Sequence, residues 1–439
     1  MEWYLVLALI VGSFLVLLLL GTPVAFAFLF VNLLGALLFW GGLDGLRQLT
    51  LSVFRSVTTF ALMPIPMFVL IGEVMFIAGI APLALDALDK WLGRIPGRLS
   101  LLAVAGGTLF ATLSGVSIAG VAMLGSTLAP EMERRGYKKS MSLGPILGSG
   151  GLSTMIPPTA MGVLLASLAK ISVVAFLISI ILPGLSLAML YVIYILVRCR
   201  LQPWIAPTYE VAAVPLREKV TDFARHVLPL GIVIFLVIGV VFLGFATPAE
   251  AAATGALASF GLAAGYRKLN WGVVRKTIAN TLRITVMIFM IFTGAVAFSQ
   301  ILAFTGVTSS LARLGTELPV APLILVGMMQ LPLLLMGCFM EPLSMLMVTI
   351  PIYMPIIRAV GLNPIWFGTI LLLNEEVALL SPPFGLSLFT MKGVAPPGTT
   401  MGDVYRAAIP FLGLQLIILL AIILFPPLAL WLPSKMIIR

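Results

Sequence analysis

The chain alternates between long apolar runs and short polar segments. A helix that spans a bilayer needs about 20 mostly apolar residues, and runs of this length recur along the whole sequence. The pattern predicts an all-α, polytopic membrane protein. The apolar runs are 3–20, 22–41, 57–81, 172–197, 227–246, 279–304 and 409–433.

One apolar stretch, 99–132, is too long for a single untilted helix. Basic residues flank it on both sides, with Arg98 before it and Arg134 after it. Because basic loops favour the cytoplasmic side, both ends are predicted to lie on that side. The stretch is therefore predicted to be a re-entrant hairpin with its tip at 114–117, and a non-helical tip at this depth must be buried or line a cavity.

A second long apolar stretch, 318–357, has few basic residues beside it. It is predicted to form a second hairpin that enters from the opposite side, with its tip at 337–344. Counting the crossings from the first hairpin places the basic segment 198–225 in the cytoplasm. The same count places both chain termini in the periplasm.

Landmarks of the first half recur in the second half at one constant offset of 225 positions. Four pairs at the same offset rarely arise by chance. By the predicted topology, 22–41 runs outward and its counterpart runs inward, so the two repeats are predicted to be inverted, as in many secondary transporters. The pairs are Thr22-Pro23 with Thr247-Pro248, Pro130 with Pro355, Gly136 with Gly361, and Pro157-Pro158 with Pro382-Pro383.

Three glycines and two prolines within 148–158 predict a break in a membrane helix. Such a break frees backbone carbonyl and amide groups, and the hydroxyls of Ser149, Ser153, Thr154 and Thr159 lie beside them. Oxygen atoms of this kind suit a cation such as Na⁺, and the N-terminus of a half-helix suits an anion. The alternative is a structural kink, because Gly and Pro are common in membrane helices.

The offset predicts an equivalent break over 374–385, where Glu375 and Glu376 stand opposite two glycines of the first half. Two adjacent carboxylates at membrane depth are costly, which favours a role as cation ligands or as a proton-coupling group. The alternative is that they pair with a base or face a water-filled cavity without a role. The second hairpin tip adds Glu341 and Ser344.

The composition of the chain argues against several classes of function. Hydrophobic residues make up 61% of the chain and charged residues 10%, so most of its surface must face lipid. The net charge of +10 comes from basic residues in short loops, which argues against nucleic-acid binding. With one histidine, His226, and no phosphate-binding loop, neither an enzyme nor an ATP-driven pump is indicated. A secondary transporter is predicted, and a passive ion or solute channel is the alternative.

The breaks, hairpins and loops predict six units in chain order. They are scaffold helices at 1–81, an arm with the first hairpin and broken helix at 82–170, a connecting helix and basic loop at 171–226, scaffold and arm helices at 227–312, the second hairpin and broken helix at 313–395, and a C-terminal helix at 396–439.

Four segments together resemble one transporter family. They are Ser114-Gly115-Val116-Ser117-Ile118-Ala119, the break at 148–158, and the runs 349–356 and 381–389. With these residues the chain resembles the large membrane subunit of the tripartite ATP-independent periplasmic (TRAP) transporters, within the ion transporter superfamily. The resemblance covers essentially the whole chain.

The resemblance implies a Na⁺-driven importer of carboxylates or related acids such as sulfonates. It implies an elevator motion, in which a transport domain slides against a scaffold in the bacterial inner membrane. The implied partners are a small four-helix membrane subunit, a periplasmic substrate-binding protein, a small organic anion and membrane lipid. The only cofactor that it implies is Na⁺ as the coupling ion.

In the family, Na⁺ sites lie where each hairpin tip meets the broken helix of the same repeat. This chain departs from the family at Val116 and Gly120 of the first tip, and at Glu375-Glu376, where a small or apolar pair is more usual. The implied cation-binding residues are Ser114, Gly115, Ser117, Ser149, Gly150, Ser153, Gly337, Ser344, Asn374 and Ser381. The candidates for contact with the substrate or for coupling are Thr154, Pro157, Thr159, Glu341, Glu375, Glu376 and Pro382.

Overall fold

The fold was analysed in a computed structural model, which describes residues 2–114, 117–208, 214–337 and 340–436, without the side chains of 81 and 110–114. Every regular element in this described part of the chain is helical, which confirms the predicted all-α fold class. Apolar segments take this form because a helix satisfies its own backbone hydrogen bonds where no water is available.

The helices of the first half begin and end close to the edges of the apolar runs. They are α1 (Trp3–Leu19), α2 (Val24–Phe39), α3 (Leu43–Val57), α4 (Pro64–Ile77), α5 (Ala81–Leu92), α6 (Arg98–Ser114), α7 (Ser117–Arg134), α8 (Lys139–Gly150), α9 (Leu152–Met155), α10 (Ala160–Ala169), α11 (Val173–Ser179), α12 (Ile181–Leu201) and α13 (Leu216–Asp222).

A short π-helical turn, Phe223–Val227, leads into the second half. The helices that follow are α14 (Leu228–Phe242), α15 (Pro248–Gly265), α16 (Trp271–Phe304), α17 (Val307–Glu317), α18 (Pro322–Met336), α19 (Pro342–Ala359), α20 (Pro364–Leu380), α21 (Leu386–Val394), α22 (Met401–Leu424) and α23 (Pro427–Leu430).

Length and apolarity are sufficient for a membrane crossing in six helical segments of the described chain. A seventh is added if 139–155 and 160–169, which meet at a bend of 45°, form one span. The chain is therefore polytopic, as the apolar runs predict.

The bounds of several helices repeat at the offset found in the sequence. Helices α7 and α19 both begin and end 225 positions apart, α5 and α17 end 225 positions apart, and so do α10 and α21. Both halves thus divide the chain into helices at corresponding positions. The inverted relation of the two halves stays a prediction.

Each predicted hairpin consists of two helices on either side of a short gap. Helix α6 packs against α7, and both pack against α8. Helices α18 and α19 contact each other and both contact α20. The tip residues 115–116 and 338–339 lie outside the described residues.

The two broken helices differ in where they are interrupted. In the first half the interruptions are at Gly151 and at 156–159. In the second half α20 stays helical through Glu375 and Glu376 and ends at Leu380, so the predicted break at 374–385 was too long. The reason is that 374–380 contains neither Gly nor Pro, and nothing stops the helix before Ser381-Pro382-Pro383.

Helix α16 packs against α2, α3 and α4. Asn32 of α2 donates its amide Nδ2 to the carbonyl oxygen of Gly294 at 2.8 Å. Beside this bond the rings of Phe14 and Phe28 lie 4.6 Å apart and those of Phe28 and Phe298 lie 5.6 Å apart. Tilted and edge-on aromatic contacts at these distances stabilise the packing.

The amphipathic helix α5 is fixed by ion pairs. Lys90 Nζ lies 2.9 Å from Glu218 Oε1 and also bonds Asp222, and these two carboxylates raise the pKa of Lys90 above its ordinary value. Arg98 Nε donates to Asp89 Oδ1 at 2.7 Å. The Lys90 contacts connect α5 to α13, and the Arg98 contact connects α5 to the start of α6.

At Gly184, helix α12 crosses close to the break in the first half. A Cβ at this position would lie 2.3 Å from the carbonyl oxygen of Met155. Because that oxygen belongs to the backbone, it cannot move aside cheaply. We therefore predict that Gly184→Ala lowers the melting temperature of the purified protein, at a cost of about 1–3 kcal/mol.

Gly413 in α22 is the matched control, because a Cβ there would meet nothing within 4 Å. Gly413→Ala is expected to leave the melting temperature unchanged or to raise it slightly, since Ala favours a helix more than Gly does. Equal melting temperatures for the two variants would contradict the close approach of α12 to the break.

Candidate functional site between the two broken helices

The first part of the site is formed where α7 begins and where the short helix α9 lies. Ser117 is the first residue of α7, and its Oγ lies 2.8 Å from the Oγ of Ser153 in α9. Both side chains are buried. The family resemblance implies that the first hairpin and the broken helix of the same half meet, and this pair of hydroxyls joins α7 to α9.

A carboxylate from the second half completes this hydroxyl cluster. Glu376 Oε1 accepts hydrogen bonds from Ser117 Oγ and, at 2.8 Å, from Thr154 Oγ1. Glu376 lies 259 positions from Ser117, so the bonds join the two halves of the chain. A buried carboxylate needs donors, and these two hydroxyls supply them. We refer to Ser117, Ser153, Thr154 and Glu376 as the polar cluster.

The neighbouring residue, Glu375, is in a different situation. Its side chain is 0% exposed, and neither carboxylate oxygen has a hydrogen-bond partner among the described residues. Leaving a buried polar group without a partner costs several times more than a typical hydrogen bond gains. Glu375 is therefore an unsatisfied acid group at the edge of the polar cluster.

Both glutamates line a cavity of about 160 Å³. Glu341 and Pro342, at the start of α19, form another part of its wall, and α16 closes it with apolar side chains. No lysine, arginine or histidine is found among the described lining residues. The cavity is lined by Ser117, Ile118, Thr154, Met161, Ile284, Met287, Ile288, Glu341, Pro342, Leu343, Glu375, Glu376 and Leu379.

Gly150 allows the first hairpin to approach α8. A Cβ at Gly150 would lie 2.5 Å from Val121 Cγ2 and 3.4 Å from the carbonyl oxygen of Ser117. Ser149 beside it is buried and donates its Oγ to the carbonyl of Ile146 at 2.8 Å. Gly150 thus lies next to the polar cluster, whereas the Ser149 hydroxyl bonds its own helix.

In the second half, Gly337 packs directly on α20, since a Cβ there would lie 2.1 Å from the Cβ of Ala378. Asn374 donates its Nδ2 to Gln330 Oε1 at 2.9 Å, and its buried Oδ1 has no partner among the described residues. Ser344 bonds Glu341 at 2.9 Å. The second set of predicted cation-binding residues therefore surrounds the junction of α18, α19 and α20.

The remaining predicted residues lie away from the cavity. Pro157 lines a separate small apolar cavity with Phe68 and Pro248, and Thr159 is buried without a partner for its hydroxyl in the described chain. Pro382 is exposed, and Ser381 donates its Oγ to the carbonyl of Val377 within its own helix. The side chain of Ser114 and the whole of Gly115 lie outside the described residues.

Two glutamines at the site were not predicted from the sequence. Gln330 bonds Asn374, and Gln415 of α22 lies against the first break, because a Cβ on Gly151 would be 2.5 Å from Gln415 Nε2. Both glutamines are buried. Each is a single uncharged polar residue in an apolar run, which is the signal that points to such positions.

A polytopic helical fold with two broken helices that share a buried polar cluster defines the class of membrane transport proteins. The profile of one family, described as "Tripartite ATP-independent periplasmic transporter, DctM component", matches residues 11–428. The chain belongs to this family of large TRAP permeases, and it is a transporter subunit and not an enzyme. Members of the family work with a small membrane subunit and a periplasmic binding protein.

Two relatives show how broad this family is. The chain is 33% identical to the C4-dicarboxylate TRAP transporter large permease protein DctM of Pseudomonas aeruginosa over 89% of this chain and 90% of that protein. It is 27% identical to the ectoine/5-hydroxyectoine TRAP transporter large permease protein UehC of Ruegeria pomeroyi over 96% of this chain and 97% of that protein.

The fold is also found in a solved structure, the YdaH transporter of Alcanivorax borkumensis. That chain superposes with a TM-score of 0.61 at 15% sequence identity, over 90% of each chain. At this identity the likeness concerns the fold alone, and it agrees with the predicted transporter architecture.

The polar cluster predicts a specific sensitivity to loss of one hydroxyl. Ser117→Ala removes a donor from the buried Glu376 carboxylate, so we expect a loss of about 1–3 kcal/mol of stability. The measurement is thermal unfolding of the purified protein. Ser126 lies on the exposed side of the same helix and donates its Oγ to the carbonyl of Met123. Ser126→Ala is therefore the control, and an equal effect of both variants would argue against the cluster.

Proposed function

We propose that the chain is the permease subunit of a Na⁺-coupled importer, which carries a small organic acid across the bacterial inner membrane after a periplasmic protein delivers it. The observation that carries this proposal is the bonding of Glu376 to Ser117 and Thr154. This bonding supports a site that both halves of the chain share, because it connects the two broken helices beside a cavity large enough for a small solute.

The oxygen atoms of the polar cluster suit a monovalent cation. Hydroxyl and carboxylate oxygens are ligands that hard cations prefer, and Ser117, Ser153 and Thr154 supply hydroxyls on one side of Glu376. A second candidate position lies at the Oδ1 of Asn374, which has no hydrogen-bond partner among the described residues. A cation at either position adds positive charge beside the cavity, so that ion binding and acid binding favour each other.

An elevator motion is supported by the wall that α16 contributes. Ile284, Met287 and Ile288 are apolar, and side chains of this kind form no directional bonds that would resist sliding. In our proposal the hairpins, the broken helices and the cavity move together against α16. The solute then passes from one side of the membrane to the other while it stays bound.

The partners follow from the family. We propose a small four-helix membrane subunit beside the lipid-facing scaffold helices, and a periplasmic binding protein that selects the solute. The names of the relatives include a C4-dicarboxylate and ectoine, so one permease fold serves chemically different solutes.

The proposed coupling predicts the behaviour of uptake. In proteoliposomes that contain the whole transporter, addition of the loaded binding protein should give solute uptake only with an inward Na⁺ gradient. We expect Ser153→Ala to raise the Na⁺ concentration needed for half-maximal uptake, because it removes a hydroxyl of the polar cluster, whereas Ser126→Ala should leave it unchanged.

Uptake without any Na⁺ or H⁺ gradient would overturn the coupled mechanism and favour a passive channel. Uptake driven by a proton gradient alone would retain a coupled transporter and replace Na⁺ by H⁺.

The predicted orientation is tested by cysteine labelling in a chain that lacks Cys199 and Cys338. Thr208 is exposed and lies in the basic segment that is predicted to be cytoplasmic, so Thr208→Cys should not react with a membrane-impermeant thiol reagent added from the periplasm. Glu2→Cys, at the opposite side in the predicted topology, should react. The reverse pattern would invert the orientation.

A further inference from the structure

We propose that the solute held in the cavity carries a cationic amino group as well as its acid group, and that the Glu375 carboxylate is the ion-pair partner of that amino group. The inference rests on the proposed function, because it specifies the solute of the same transport site. It assigns to Glu375 a role in solute selection.

The first observation is the state of the Glu375 side chain. It is 0% exposed, it lines the cavity, and both of its oxygens lack a hydrogen-bond partner in the described part of the chain. The other two acids of the cavity are satisfied differently, since Glu376 accepts two hydroxyl hydrogen bonds and Glu341 accepts one from Ser344. Glu375 alone among the three is left for a ligand.

The second observation is the charge of the cavity. Three carboxyl groups line it, and the described lining residues include no basic side chain. A solute with only acid groups would add like charge to a low-dielectric space, which is unfavourable. A solute that also carries an ammonium group offsets this repulsion and satisfies the acid that has no partner.

An organic cation fits Glu375 better than a bare metal ion does. Hard metal cations take about six or more oxygen ligands, whereas neither Glu375 oxygen has a hydrogen-bond partner among the described residues that could share in holding one. An ammonium group on a short carbon chain needs one carboxylate and apolar walls. Ile284, Met287 and Leu379 provide such walls in a cavity of about 160 Å³.

The acid group of the same solute lies at another part of the cavity wall, at the start of α7. Ser117 and Ile118 line the cavity at the N-terminus of α7, a helix of 18 residues. The backbone N–H groups at the start of a helix and the helix dipole favour an anion at this end, and the cation proposed at the polar cluster offsets the charge of Glu376 there. The proposed solute therefore lies with its carboxylate toward α7 and its amino group toward Glu375.

Three probes that differ at one end test this inference. 4-Aminobutyrate, valerate and glutarate share a carboxylate on three methylene groups, and the far end carries an ammonium, a methyl or a second carboxylate. The full chain, purified with its small membrane subunit, is heated with each probe, because a ligand that binds only the folded state raises the melting temperature. β-Alanine and 6-aminohexanoate extend the series to shorter and longer spacings.

We expect at least one amino acid of the series to raise the melting temperature more than valerate and glutarate do. In Glu375→Gln, the probe concentration for half-maximal stabilisation should rise on the order of tenfold or more, because the ion pair is lost. Glu73→Gln is the matched control: Glu73 is a half-buried acid outside the cavity that bonds Asn280 at 3.0 Å. Glu73→Gln should leave the probe concentration for half-maximal stabilisation unchanged.

The inference is overturned if glutarate or valerate stabilises as well as the amino acids do, if no amino acid of the series stabilises, or if Glu375→Gln keeps the preference. The comparison of probes on the unmodified chain decides the matter even if the variant does not fold. Na⁺-driven uptake of a diacid would overturn this inference and leave the proposed function intact. Binding of an amino acid without any gradient-driven uptake would support this inference and overturn the proposed function.

Discussion

The absence of water from the bilayer core is the constraint on which this structure depends. Backbone and side-chain polar groups at that depth must find partners inside the protein, and the apolar helices meet this demand by themselves. Where a helix is broken, the demand falls on side chains from elsewhere in the chain. Beside the first break, Glu376 accepts hydrogen bonds from Ser117 and Thr154, and these bonds also hold the two halves in contact.

Much of the fold was predictable because lipid imposes a length and a polarity on each helix. Helices α7 and α19 begin at or near the predicted hairpin tips and end close to the ends of the two long apolar stretches. The second break was placed too early, since the offset was applied to residues 374–380 although they lack the glycines of their counterparts. The local chemistry of the helix, and not the repeat, determines where it ends.

The site was predictable as a set of residues but not as an arrangement. Ser117, Thr154, Glu341, Glu375 and Glu376 were all candidates, and the structure places all five around one cavity. Their pairing could not be predicted, because Thr154 and Glu376 lie 222 positions apart and no local pattern connects them. The contribution of α16 to the cavity could not be predicted either, because nothing in the sequence distinguishes Ile284 and Met287 from lipid-facing residues.

The two proline pairs differ in their surroundings, with Pro157 buried and Pro382 exposed. On the predicted orientation, the second pair lies toward the cytoplasm and the first toward the periplasm. The two breaks therefore present unequal surfaces to their surroundings, although their prolines occupy equivalent positions of the repeat. Phe384 and Phe389 beside the second pair are exposed as well, so this apolar surface needs lipid or a protein partner to cover it.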